Sequence, residues 1–151
     1  MLVADGSRES LSAAEAAIEL ATGTGSELHV VHVVSTVVEL PYPRSYAKER
    51  SEALLEQKKL AGLMLLDKRV RWIEKLGGSV AASHYREGKP EDEVVRLAEE
   101  TDAGLVVIGD RMRGRIARMF GESFSENVLR RANRPVLVVS VREVRDPKVP
   151  R

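Results

Sequence analysis

Five short apolar runs, most of them rich in β-branched residues, divide this chain, and longer stretches with helical spacing lie between them. The runs are Met1–Ala4, Leu28–Val34, Ser79–Tyr85, Gly104–Ile108 and Val136–Val141. Strands that alternate with helices require right-handed crossovers, and these build a mostly parallel sheet covered on both faces. The second, fourth and fifth runs are continuously apolar, as strands buried on both faces must be. The third mixes Ser79, Ser83 and His84 with its apolar residues and suits a sheet edge. The fold class that follows is α/β, a doubly wound parallel sheet.

Local signals place the helices. Ser7 stands where an N-cap would accept backbone N–H bonds, and Leu11, Ala14, Ile18 and Ala21 then recur at three-and-four spacing. The glycines of Thr22–Gly25 stop that helix. Pro41 and Pro43 break the chain after the second strand, and a charged stretch from Tyr46 to Lys59 leads into a long helical pattern. Leu55, Leu63, Leu66, Val70, Ile73 and Leu76 are the predicted buried stripe, and Gly77-Gly78 ends it. Gly88-Lys89-Pro90-Glu91-Asp92-Glu93 is a helix start with proline in the first turn and acids against the dipole; Val94, Leu97 and Ala98 supply the inward face. A last helix is predicted over 123–131. Residues 1–141 form one domain in this reading, and 142–151 a polar tail.

With 151 residues the chain suits one domain, and 43% hydrophobic against 31% charged residues is a globular balance. Lys plus Arg total 24 against 23 Asp plus Glu, which argues against a dedicated nucleic-acid binder. There is no cysteine, so disulfides, thiolate metal sites and cysteine nucleophiles are excluded. His29, His32 and His84 lack metal-ligand spacing. No apolar run approaches the length of a membrane span, and Asp5, Arg8 and Glu9 interrupt any signal-like start. A cytoplasmic protein is the expectation.

Open α/β sheets bind ligands beyond the carboxyl ends of their strands, where the strand order reverses. That rule selects Asp5, Val33 and the segment from Gly109 onward. Gly23-Thr24-Gly25 begins like a dinucleotide fingerprint, but it follows a helix, precedes a strand and has Leu28 at the third glycine; a helix-ending turn accounts for it. Residues 109–123 join a strand end to a helix start and carry Arg111, Arg113, Arg115 and Arg118. Two readings stand, an anion site built on a helix N-terminus and a solvated basic loop. Ser123 and Glu126 form a capping-box pattern, which is compatible with a phosphate at the same helix end. His32 inside an apolar strand reads as a hydrogen-bonded core histidine rather than a base. Asp110 and Glu122 are candidate Mg²⁺ carboxylates, with surface acids as the default.

Val3-Ala4-Asp5-Gly6-Ser7, the strand Glu27–Val34, the helix start Gly88–Val95 and the block from Gly121 to Val139 resemble the universal stress protein family. The resemblance runs over residues 1–141. It implies a sheet ordered 3-2-1-4-5 of the adenine nucleotide alpha hydrolase type and a homodimer joined through the C-terminal strand. Many members bind ATP or a related adenine nucleotide through Gly, two residues, Gly, nine residues, Gly, then Ser or Thr. Gly109 and Ser123 match the first and last positions, whereas Met112 and Glu122 replace the second and third glycines. Carried over in the same way, Asp5 lies against the adenosine. Val3, Val33 and Ile108 lie around the base, and Arg111, Phe124 and Ser125 beside ribose and phosphates. The side chain of Met112 and the charge of Glu122 imply an altered or weakened site, with AMP or cyclic AMP better suited than ATP.

The expected function is therefore a non-enzymatic regulatory or binding protein of this family. The alternatives are a dimeric interaction module without nucleotide, docking an unknown protein partner, and a slow nucleotide hydrolase. No residue is placed to activate water.

Overall fold

The computed structural model describes residues 1–36, 47–110 and 123–141. Its elements follow in the order β1 (Leu2–Val3), α1 (Arg8–Thr24), β2 (Leu28–Ser35), α2 (Ala47–Lys75), β3 (Val80–Gly88), α3 (Pro90–Glu100), β4 (Val106–Gly109), α4 (Phe124–Arg131) and β5 (Val136–Val139). The five strands form one parallel sheet in the order β3-β2-β1-β4-β5. Leu2 pairs with Val30 on one side and Val107 on the other, so the order reverses between β1 and β4. The doubly wound expectation holds.

The helix ends follow the local chemistry. Ser10 donates its backbone N–H to Ser7 Oγ at 3.1 Å, and Gly25 closes α1 with φ of 65°. Pro90 opens α3 with Glu91, Asp92 and Glu93 in its first turn. At α4 both halves of the capping box are present, Glu126 N–H to Ser123 Oγ at 3.1 Å and Ser123 N–H to Glu126 Oε2 at 3.3 Å.

Two apolar layers enclose the sheet. On one face Ala13, Ala14 and Ala17 of α1 and Leu66 and Ile73 of α2 meet Leu2, Leu28, Val30 and Val107. On the other, Val94, Leu97 and Ala98 of α3 and Val128 of α4 meet Val3, Val31, Val106 and Ile108. The stripe expected for α2 needs correction. Among its described residues Gly62, Leu66, Arg69 and Ile73 are buried, while Leu63 and, just past its end, Leu76 are about half exposed. The expected stripe combined apolar residues from two faces of the helix, whereas the sheet-facing one includes a glycine and an arginine.

β3 is an edge, as its polarity suggests, but it extends to Gly88 because Arg86 and Glu87 keep pairing with Val33 and Val34. On it, His84 stacks against His29 of β2 with ring centroids 5.2 Å apart, and their facing nitrogens lie 3.1 Å apart. Burial first, then His29 and Arg86, push the His84 pKa below its usual 6.5. A histidine depressed in the folded state binds its proton better when unfolded, so this contribution is complete above pH 6.5 and declines as the pH falls below it. His84→Gln should flatten that segment of a urea-derived stability profile. An unchanged slope would show that the pair carries no linkage.

Candidate functional site

The carboxyl ends of β1 and β4 lie side by side, and the chain leaves them in opposite directions along the sheet. After β1, Asp5 Oδ1 accepts two hydrogen bonds from Ser7, from its N–H at 2.9 Å and its hydroxyl at 2.6 Å. This turn, leading into the Ser7 cap of α1, fixes the carboxylate at the mouth of the switch point. Behind it, His32 Nδ1 meets the Ala4 carbonyl. A carbonyl only accepts, so Nδ1 carries the proton, and His32 serves as a strand-bridging donor.

Gly109 ends β4. A Cβ there would lie 2.5 Å from the carbonyl carbon of Glu9 and 2.6 Å from the amide nitrogen of Ser10. The missing side chain therefore seats the first turn of α1 against the end of β4. That close approach is internal to the fold and was not foreseen from the motif spacing.

Beyond Gly109, Asp110 binds across the strand ends. Ser140 donates its hydroxyl to Asp110 Oδ2 at 3.0 Å, and the Ser125 hydroxyl approaches Oδ1 at 3.5 Å. Ser123 Oγ lies 3.1 Å from Ser125 Oγ. The buried first turn of α4 is thereby tied to the ends of β4 and β5 through three serines and one carboxylate. Ser140 was missed in the sequence, because its partner lies thirty residues away. Asp110 already accepts serine hydroxyls, which leaves it a modest Mg²⁺ candidate. Among the described residues no group of three or more His, Asp or Glu could hold a metal ion.

The apolar positions also converge. Val3 and Ile108 belong to one buried cluster, and Val33 and Phe124 pack against it. Ile108 is fully enclosed, whereas Val33 and Phe124 remain half-buried at the strand ends. Arg111, Met112 and Glu122 lie outside the described residues, as do Arg113, Arg115 and Arg118 and the tail from 142.

A second depression lies on the α1/α2 face, with a volume of about 980 Å³. Gly6 and Leu11 border it on one side and Ala61, Leu65, Arg69 and Trp72 on the other. Arg69 is 7% exposed, its Nε has no hydrogen-bond partner, and its guanidinium carbon lies 5.4 Å from the Trp72 ring centroid. Burial pulls its pKa down from the arginine range, partly offset by the charge of Asp5.

A doubly wound sheet with a polar, helix-capped mouth at its switch point places this chain in the α/β class whose members bind ligands at that position. The sequence pattern of the Universal stress protein family matches residues 1–140. The chain belongs to the universal stress protein family. It is 34% identical over 137 residues to Universal stress protein MJ0531 of Methanocaldococcus jannaschii, covering 89% of this chain and 77% of that one. It is 32% identical over 149 residues to Universal stress protein YxiE of Bacillus subtilis, covering 92% and 97%. A solved universal stress protein in complex with cAMP superposes with a TM-score of 0.69 at 26% identity, over 91% of this chain and 93% of that one. No helix among the described residues is long and apolar enough to cross a membrane.

Proposed function

We propose that this chain is a cytoplasmic regulatory protein that binds an adenine nucleotide at the β1/β4 switch point and acts by binding rather than catalysis. The observation that carries this reading is the placement of two features at neighbouring strand ends. Asp5, held by Ser7, follows β1, and the Ser123-capped first turn of α4 is tied to Asp110 after β4. A capped helix N-terminus still presents backbone N–H groups and the positive end of the dipole to an anion. The cAMP complex of a relative at 26% identity supports the ligand class.

In this reading Asp5 orients the ribose or base, with Val33 as the apolar wall beneath it and the buried Val3 and Ile108 backing that wall. Gly109, Arg111, Ser123, Phe124 and Ser125 belong to the ribose and phosphate end. Met112 and Glu122 occupy the positions of two motif glycines, and the Glu122 carboxylate would repel a long phosphate chain. Preference for AMP or cyclic AMP over ATP follows, with little dependence on Mg²⁺.

Isothermal titration with ATP, ADP, AMP and cyclic AMP, with and without Mg²⁺, tests this. A ligand at a hundredfold its Kd should stabilise the fold by about 2.7 kcal/mol, which a thermal shift reads independently. Asp5→Ala should weaken binding at least tenfold. Tight ATP binding that depends strongly on Mg²⁺ would overturn the proposed preference.

The substitutions at Met112 and Glu122 also favour a second reading, an interaction module without nucleotide that docks a protein partner. Silence from all four nucleotides in folded, ligand-free protein would select it. Under either reading we propose a homodimer through β5, whose four residues are all half-buried in the single chain and whose outer edge lies at the end of the sheet. A native mass twice the 16.7 kDa of the chain would support that assembly; a monomer would remove it.

A further inference from the structure

The groove between α1 and α2 begins at Gly6, next to Asp5 of the switch-point mouth, and is built differently. Its wall runs along α2 from Ala61 to Lys75, a span of roughly 21 Å at 1.5 Å per residue. Leu11, Ala61, Met64 and Leu65 make one end apolar. Towards the other end Lys68, Arg69, Arg71 and Lys75 outnumber the carboxylates near them, Asp67, which is paired with Arg71 at 3.0 Å, and Asp5, whose charge reaches Arg69.

Arg69 is the anomalous member. A guanidinium has five N–H donors and does not give up its charge, yet this one is almost wholly buried and its Nε donates to nothing. The helix position it occupies would suit an apolar residue, since Leu66 and Ile73 flank it on the sheet-facing stripe. Asp5 offsets part of that buried charge and the Trp72 ring lies beside it, but the Nε–H still lacks an acceptor, a cost that an occupant of the groove would relieve. The groove it lines has room for that acceptor. A volume of about 980 Å³ is at the upper end of the range for small-molecule sites.

We propose that the α1/α2 groove binds an amphipathic anion, a carboxylate or phosphate head on an extended apolar chain. The head pairs with Arg69, with Lys68 nearby, and the chain lies along Leu65, Met64 and Ala61 towards the exposed Leu60. Guanidinium pairs with either head through parallel N–H···O bonds, and the apolar wall supplies contact for the chain. The proposal does not require nucleotide binding at the strand ends.

The test uses the full chain and cis-parinaric acid, a fluorescent long-chain carboxylate. Saturable one-to-one binding is expected, with displacement by laurate and by dodecyl phosphate; their order identifies the preferred head. Dodecanol, the same chain without charge, should compete at least tenfold more weakly. Arg69→Met should reduce probe affinity at least tenfold in a chain whose circular dichroism is unchanged. Ala61→Trp fills the groove from an exposed position and should abolish probe binding while leaving any nucleotide affinity intact. Unchanged affinity in Arg69→Met, equal competition by dodecanol, or no saturable signal from folded protein would overturn the proposal. So would a native dimer that Ala61→Trp splits without the probe ever binding, because a second copy would then be the occupant.

Discussion

Gly109→Ala is expected to cost about 3 kcal/mol, the upper part of the usual range for overpacking. In a chain of this length that is a fall of roughly 10 °C in Tm. The reason is geometric. The added carbon would meet three backbone atoms of Glu9 and Ser10 between 2.5 and 2.7 Å, and backbone at the start of a helix has no rotamer into which to retreat. Relief requires α1 to lift from β4 or β4 to bend from the sheet. A thermal melt and a urea titration measure the loss directly. If the variant melts like the parent, the contact between Gly109 and α1 is looser than described. Gly25→Ala provides the comparison. Unlike Gly109 it has positive φ, 65°, and open space around it, so only backbone strain opposes the substitution there.

Ile73→Ala should be about as damaging, at about 4 kcal/mol. Ile73 is wholly buried, packs in the cluster beneath β1 and β2, and its Cγ2 lies 2.7 Å from where a Cβ on Gly78 would stand. Few large apolar anchors hold α2, for among its described residues only Leu66 and Ile73 are large, apolar and buried. Removing one leaves a cavity that the glycine turn at 77–78 cannot collapse to fill. Urea unfolding gives the cost, and amide exchange along 62–75 should accelerate before the rest of the sheet. A loss below 1 kcal/mol would mean that α2 is held mainly by other contacts.

Much of the architecture was legible because the relevant signals are local. β-branched runs marked the strands, and Ser7, Pro90 and the Ser123–Glu126 pair marked helix starts that the hydrogen bonds reproduce. The strand order was different in kind: periodicity does not specify it, and the family resemblance supplied it. Where the reading failed, residue type misled it. Gly62 and Arg69 face the sheet although neither counts as apolar, so the stripe was drawn through Leu63 and Leu76 instead. β3 continues through Arg86 and Glu87 because an edge strand needs no second buried face. At the site, Asp5 and Ser123 were found from their own neighbours. The contacts of Asp110 with Ser125 and Ser140 join residues far apart in the chain and could not be.

The face of α1 that meets the sheet is lined by alanines, at positions 13, 14 and 17. Such short side chains leave no compressible layer between helix and strands, so the helix axis rests where the backbones nearly touch. The first turn of that helix is also the wall that Gly109 accommodates and that carries Ser7 and Asp5 to the mouth. The width of the opening is thus set inside the molecule. A single added methyl on those alanines would act as a shim, changing the width of the mouth from inside the helix–sheet seam.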